Sequence, residues 1–523
     1  MTGSPELLRT ARERAATLRE RYRDAGFWSD RPTDPLRSAA SKHPDRPAVR
    51  DRARTLTFAE LDALVDLTGQ ALKDSGVTRS CPVVIVAGND VDSVVAVQAA
   101  LRVDAVVLLV ARSAGETGAR DALTRSGARH MMAPNCDWPG LASADCRTVA
   151  VARAGQGRRP DTPLRPARAA DEPCFVLYTS GTTSRPKGVV HSLSTLTKAS
   201  ANYIAASGLG AADSIFLISP LASITGVLQA LFIGPMLAAP VVLEDRWDPS
   251  GTCDLLLDAG ATWYGGPDRL LDRLLDEVAR RGAEVPLRAV YLGGTQLDRR
   301  IVERAEDEFG IIVMRAYGSS EVPVSTSGLR EEPKSLRHND DGTLLADVQV
   351  RVGSSGEPTE CCISGPHTFL GYTDTDDDVH AFDGEWFRTG DVAEVEDGRV
   401  RIVGRIKDIV IRNGLKIAAA EVDEAVLRID GVRECAAYSV PDATTGERLA
   451  VALVLDDGAE LSLADVASAL TVAGLPKYKL PEELVFWEQS LPLNANGKVE
   501  RNTLAQRADG RRRAVAPRLV SAN

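Results

Sequence analysis

Tyr178 leads into Thr179, Ser180, Gly181, Thr182, Thr183, Ser184, Arg185, Pro186, Lys187 and Gly188. Hydroxyls, glycines that leave backbone N–H groups free, and one mobile ammonium are the donors that a polyphosphate needs. The order is not that of a Walker loop, since Pro186 precedes Lys187 and Gly188 follows it. A polar surface turn has the same composition. What decides between the two is the company the run keeps.

That company is ordered along the chain. After "YTSGTTSRPKGVVHS" come "GGTQL" (from Gly293), "AYGSSE" (from Ala316), "WFRTGD" (from Trp386), "GRIKD" (from Gly404) and "NGKVER" (from Asn496). Each alone is weak; six in order are strong. Together they resemble the adenylate-forming enzymes, the family of acyl-CoA ligases, luciferases and peptide-synthetase adenylation domains, over residues 35–504. The resemblance implies a nucleotide site from Thr179, Ser180, Gly181, Thr182, Thr183, Lys187, Gly294, Thr295, Ala316, Tyr317, Ser320 and Asp391. Tyr317 would lie along the adenine, Ser320 stands where a phosphate-binding Thr is usual, and Glu321 would help hold magnesium. Asp391 would accept from both ribose hydroxyls, and Arg405 would approach the ribose or phosphates.

The same resemblance makes Lys498 and Arg405 the catalytic cations. A carboxylate attacking an α-phosphate brings two anions together, and a fixed cation there is commonly worth about 10²–10³ in rate. Thiol attack wants a path for a pantetheine arm instead, so the small domain is expected to rotate about Lys407. That motion would bring Arg412, Asn413 and Gly414 to the thiol channel, where Gly414 suits close passage. The implied ligands are ATP or an acyl adenylate, Mg²⁺ and coenzyme A.

Two departures from the family pattern matter. Ser184 stands where glycine is usual; if that position needs positive φ, a side chain there costs on the order of 1 kcal/mol and re-aims the amides facing the β- and γ-phosphates. An acyl adenylate has neither phosphate, so thioester formation would be spared. Around Ser223, relatives carry an aromatic residue or histidine. Ser223 and Gly226, with Gly265, Gly266, Gly294 and Gly318, predict a roomy acyl pocket for an apolar, alicyclic or polycyclic acid.

Elements that position these residues are legible as alternating strands and helices. Apolar runs predict strands over 82–86, 106–110, 174–178, 289–292 and 311–314, and Thr57 with Glu60 predicts a helix-starting capping box. The texture changes near residue 400, where residues 392–403 alternate about Asp397 and Gly398, a hairpin signal. A helix near 418–429, runs at 435–440 and 449–455 and a helix near 462–470 follow. The expected fold is α/β: a large N-terminal domain of α/β subdomains with a β-barrel-like part over 1–404, and a small mobile α+β domain over 405–510. The basic end, 511–523, reads as disordered.

Bulk properties narrow the partners. The 523 residues carry a net charge of −11, against a protein that wraps nucleic acid. Eight cysteines without CxxC or CxxH spacing predict neither zinc nor a disulfide framework, and a reducing cytoplasm is the default. The run 228–243 is broken by Pro235 and Pro240 and too short to span a membrane. The expected activity is acyl-CoA ligation of a bulky apolar carboxylic acid. Three alternatives stay open: thioesterification of an adenylate made by a separate enzyme, loading of a carrier protein, and a catalytically silent adenylate binder.

Overall fold

The computed structural model describes residues 4–138, 146–153, 160, 162–179, 186–293, 299–493 and 499–520. The chain forms two compact units, residues 1–350 with 363–387, and residues 351–362 with 388–523.

In the first unit, Pro82–Ala87 and Val106–Ala111 pair in parallel, and Val106–Ala111 pairs in parallel with Pro173–Tyr178. These strands are buried along almost their whole length. Both faces are covered, which explains why they read as continuous apolar runs rather than alternations. Gly188–Ser192 returns antiparallel to Pro173–Tyr178, and the two-residue strand Gly371–Tyr372 adds antiparallel beyond it. The helix Phe58–Asp74 starts on the expected capping box, with the Thr57 side chain on the Glu60 N–H and the Glu60 side chain on the Thr57 N–H. The N-terminal helix Arg9–Asp24 buries Ala11, Ala15 and Tyr22 in the same core as Val84 and Leu108.

A second sheet of this unit places Ile312–Tyr317, Ala289–Gly293, Trp263–Gly265, Ile215–Leu217 and Val241–Leu243 side by side in parallel. The apolar run before Val241 is helical in two pieces, the π-helical Val227–Ile233 and then Gly234–Leu237, which has Pro235 in its first turn. Among the described residues no helix is long and apolar enough to cross a membrane.

In the second unit, Trp386–Glu396 and Arg399–Arg405 form the expected hairpin. Its turn residues Asp397 and Gly398 have φ of 50° and 76°, the paired positive values a tight two-residue turn requires. Beyond it, Ile409–Arg412 pairs with Leu415–Ala418, and Val432–Asp442 with Gly446–Leu455. Helices Ala419–Val426 and Leu463–Val472 pack on this sheet through Val422, Val426, Val466 and Leu470.

The tail departs from the expectation of disorder. Arg513–Val515 pairs antiparallel with Glu483–Phe486, and Ala514 packs against the core. Its arginines find aromatic partners: Arg511 lies 3.6 Å over Trp487 and Arg512 3.9 Å over Phe486. Cation–ring stacking and strand pairing order a segment whose composition alone suggests a solvated end.

Candidate active site

The hairpin of Pro173–Tyr178 and Gly188–Ser192 carries the phosphate-loop candidates. Thr179 N–H donates to Lys187 O at 2.9 Å, closing the arms of the loop. Ser180, Gly181, Thr182, Thr183 and Ser184 lie outside the described residues, as do Gly294 and Thr295. Lys187 Nζ stands 3.6 Å from Asp377 Oδ1 and 4.7 Å over the Tyr372 ring. The Tyr372 hydroxyl donates to Glu321 Oε1 at 2.9 Å, and Ser319 Oγ donates to Glu321 Oε2 at 2.8 Å. Burial and the Glu321 carboxylate push the Tyr372 hydroxyl far above the usual phenol range, so it stays a donor.

Ala316 and Tyr317 end the strand Ile312–Tyr317, and Ala316 pairs with Gly293 in the neighbouring parallel strand. Both therefore sit at the carboxyl ends of parallel strands, where open α/β sheets bind ligands. The carbonyl of Ser320 accepts from His191 Nε2 at 2.7 Å. Burial pulls that imidazole down to about 4, so it is neutral at ordinary pH.

Glu321 fits a magnesium ion. Its carboxylate is a hard oxygen ligand oriented by two hydroxyl donors. Among the described residues no group of three or more His, Cys, Asp or Glu is placed to hold a metal, so a magnesium ion here would draw its remaining ligands from phosphate and water.

At Gly226, Gly265, Gly266 and Gly318 the position a Cβ would take is already occupied by neighbouring atoms. A Cβ on Gly265 would lie 1.9 Å from Gln229 Nε2, and one on Gly266 would lie 2.5 Å from Ile218 Cγ2. On Gly226 it would meet Pro220 O at 2.2 Å, and on Gly318 it would meet Val324 N at 2.5 Å. Ser223 is a helix cap, accepting from Gly226 N–H at 3.1 Å. Small residues here admit neighbouring backbone and side chains, and their presence is no measure of free volume.

In the second unit, Asp391 and Arg405 face each other across the hairpin, with Arg405 Nε 3.1 Å from Asp391 Oδ1. The turn before Asp391 is held by Thr389 Oγ1 donating to Cys361 O at 2.8 Å and Gly390 N–H donating to Glu360 Oε1 at 3.1 Å. Gly390 has φ of 72°, a value that favours glycine. Lys407 lies on the short turn Ile406–Asp408. Desolvation and the Arg405 cation hold its ammonium below the ordinary lysine value. Gly414 sits in the tight turn between Ile409–Arg412 and Leu415–Ala418 at φ of 77°, with nothing within 4 Å of a Cβ placed there. Lys498 lies outside the described residues, but Leu493 and Val499 on either side pair as an antiparallel bridge.

The profile of the AMP-binding enzyme family matches residues 36–373, and that of the AMP-binding enzyme C-terminal domain matches residues 421–498. The chain belongs to this family. An oxalate–CoA ligase of Arabidopsis thaliana is 29% identical to it over 513 residues, 90% of this chain and 97% of that one. A Streptomyces protein named salicylyl-CoA synthase / salicylate adenylyltransferase is 28% identical over 550 residues, covering 95% of this chain and 97% of its own. The o-succinylbenzoate CoA synthetase of Bacillus subtilis, in complex with its acyl-adenylate intermediate, shares the fold with a TM-score of 0.80 at 24% identity, over 91% of this chain and 98% of that one.

These matches agree with the motif resemblance, the α/β fold and the ligase class expected from sequence. Two contributors to the architecture of this AMP-binding enzyme escaped the sequence. Tyr372 joins Lys187 to Glu321 from a two-residue strand that has no periodic signature. Arg501, inside the terminal motif, pairs with the buried Asp423 of the helix Ala419–Val426, and its place three residues after Lys498 was the only available hint.

Proposed function

We propose that this AMP-binding enzyme is an acyl-CoA ligase that joins a ring-bearing, largely apolar carboxylic acid to coenzyme A through an acyl adenylate. The observation that carries this is the Lys187–Tyr372–Glu321 arrangement, an ammonium and an oriented carboxylate joined by one side chain at the mouth of the loop. In the first step a carboxylate oxygen attacks the α-phosphorus of ATP and pyrophosphate leaves. In the second the thiol of coenzyme A attacks the acyl carbon, loses its proton, and AMP leaves.

Lys187 would meet the outgoing phosphates, Tyr317 the adenine, and Asp391 the ribose hydroxyls. Lys498 would stabilise charge at the α-phosphate. Magnesium, when bound, spreads the negative charge of the β- and γ-phosphates. Rotation about Lys407 would then bring Gly414 to the thiol path, and a reducing cytoplasm suits a chain with eight cysteines.

The acid's character is supported by relatives named for salicylate and a substituted naphthoate. A panel of acids tests it. Aromatic and alicyclic acids should give the highest kcat/KM, and turnover of short linear acids alone would contradict the assignment. Ser184 favours a second reading, in which the chain performs only the thioester step on a supplied adenylate.

A further inference from the structure

Tyr372 is 5% exposed and its backbone is fixed from two sides. It pairs with Val189 in the strand ladder, and its N–H donates to Asp378 Oδ1 at 3.0 Å. Its ring stands edge-on to Phe369, with centroids 4.9 Å apart, and Phe369 N–H in turn donates to Glu321 O at 2.7 Å. The side chain therefore has little freedom. Its ring takes the Lys187 ammonium and its hydroxyl takes Glu321 Oε1, so one residue touches both the loop cation and the carboxylate.

From this geometry we infer that Tyr372 is a positioning residue for nucleotide binding: its hydroxyl aims Glu321 at the magnesium of the bound nucleotide, and its ring holds Lys187 toward the phosphates. The inference rests on the adenylate-forming reading above. A carboxylate without this donor would keep only the Ser319 hydroxyl on its other oxygen, leaving Oε1 open to turn toward Lys187 and away from the ligand. Donors behind a metal ligand commonly change metal affinity by about 10–100-fold, whereas a cation whose side chain stays 30% exposed, as Lys187 does, gains only about two- to fivefold from the ring beneath it.

Calorimetric titration of ATP into the full chain, once with Mg²⁺ and once with EDTA, separates the two contributions. Y372F should weaken binding by about 10–100-fold with Mg²⁺ and leave binding in EDTA unchanged. Y372L should also weaken binding in EDTA, by about two- to fivefold. E321Q should mimic Y372F, and the double variant should add little to either, which a merely structural role would not produce. Thermal melts confirm that each variant is folded. Y372F binding within twofold of wild type with Mg²⁺, or weakened equally in EDTA, overturns the inference. Failure of the wild-type chain to bind ATP under either condition overturns the adenylating reading itself.

Discussion

Replacing Arg501 by alanine should loosen the C-terminal unit at one strand. Ala437 N–H donates to Asp423 Oδ1 at 2.5 Å, and Ala437 O accepts from Arg501 Nη1 at 2.7 Å, while Arg501 and Asp423 pair directly. The two side chains thus satisfy both backbone groups of one residue in Val432–Asp442. Asp423 is 3% exposed, so R501A leaves a buried carboxylate without its cation and a carbonyl without its donor. Breaking a buried pair in this way costs about 3–5 kcal/mol. Local opening at Ala437 would then be about 10²–10⁴-fold more frequent, readable by hydrogen exchange over residues 432–442. R501K, which keeps the charge but not the fork, should lose about 1–2 kcal/mol. The double variant D423A/R501A should be less damaged than R501A, because no orphan charge remains. Protection in R501A within threefold of wild type would refute the reasoning.

D391A should weaken binding of a non-hydrolysable acyl-adenylate analogue by about 10²–10³-fold, the worth of two hydrogen bonds to a carboxylate, as measured by calorimetry. G414V, which places a side chain at φ of 77°, should slow thioester formation from a supplied adenylate while leaving pyrophosphate release intact. His191, held at about 4 by burial, contributes stability that is fully present above its unfolded value near 6.5 and is lost as pH falls toward 4. Melting temperature should therefore drop over that window, and H191N should remove part of the drop.

Strands such as Pro82–Ala87 and Val106–Ala111 were legible because burial on both faces forces an uninterrupted apolar run. The hairpin at Asp397 and Gly398 was legible because its turn needs residues that tolerate positive φ. Tyr372 was not, since its partners Lys187 and Glu321 are brought to it only by the tertiary fold. The glycines around Ser223 carry less information than they suggest, because a missing side chain has the same spelling whether the gap holds ligand or, as at Gly265, the amide of Gln229. The tail misled because the aromatic rings that order Arg511 and Arg512 lie in a different strand region.

That this chain both makes and consumes an acyl adenylate is tested most directly by supplying the purified chain with a ring-bearing acid and ATP, then with the preformed acyl adenylate, each with and without coenzyme A. Pyrophosphate release with acid and ATP, and thioester from both routes when coenzyme A is present, is the predicted result. Thioester from the preformed adenylate with no pyrophosphate release from acid and ATP would contradict it.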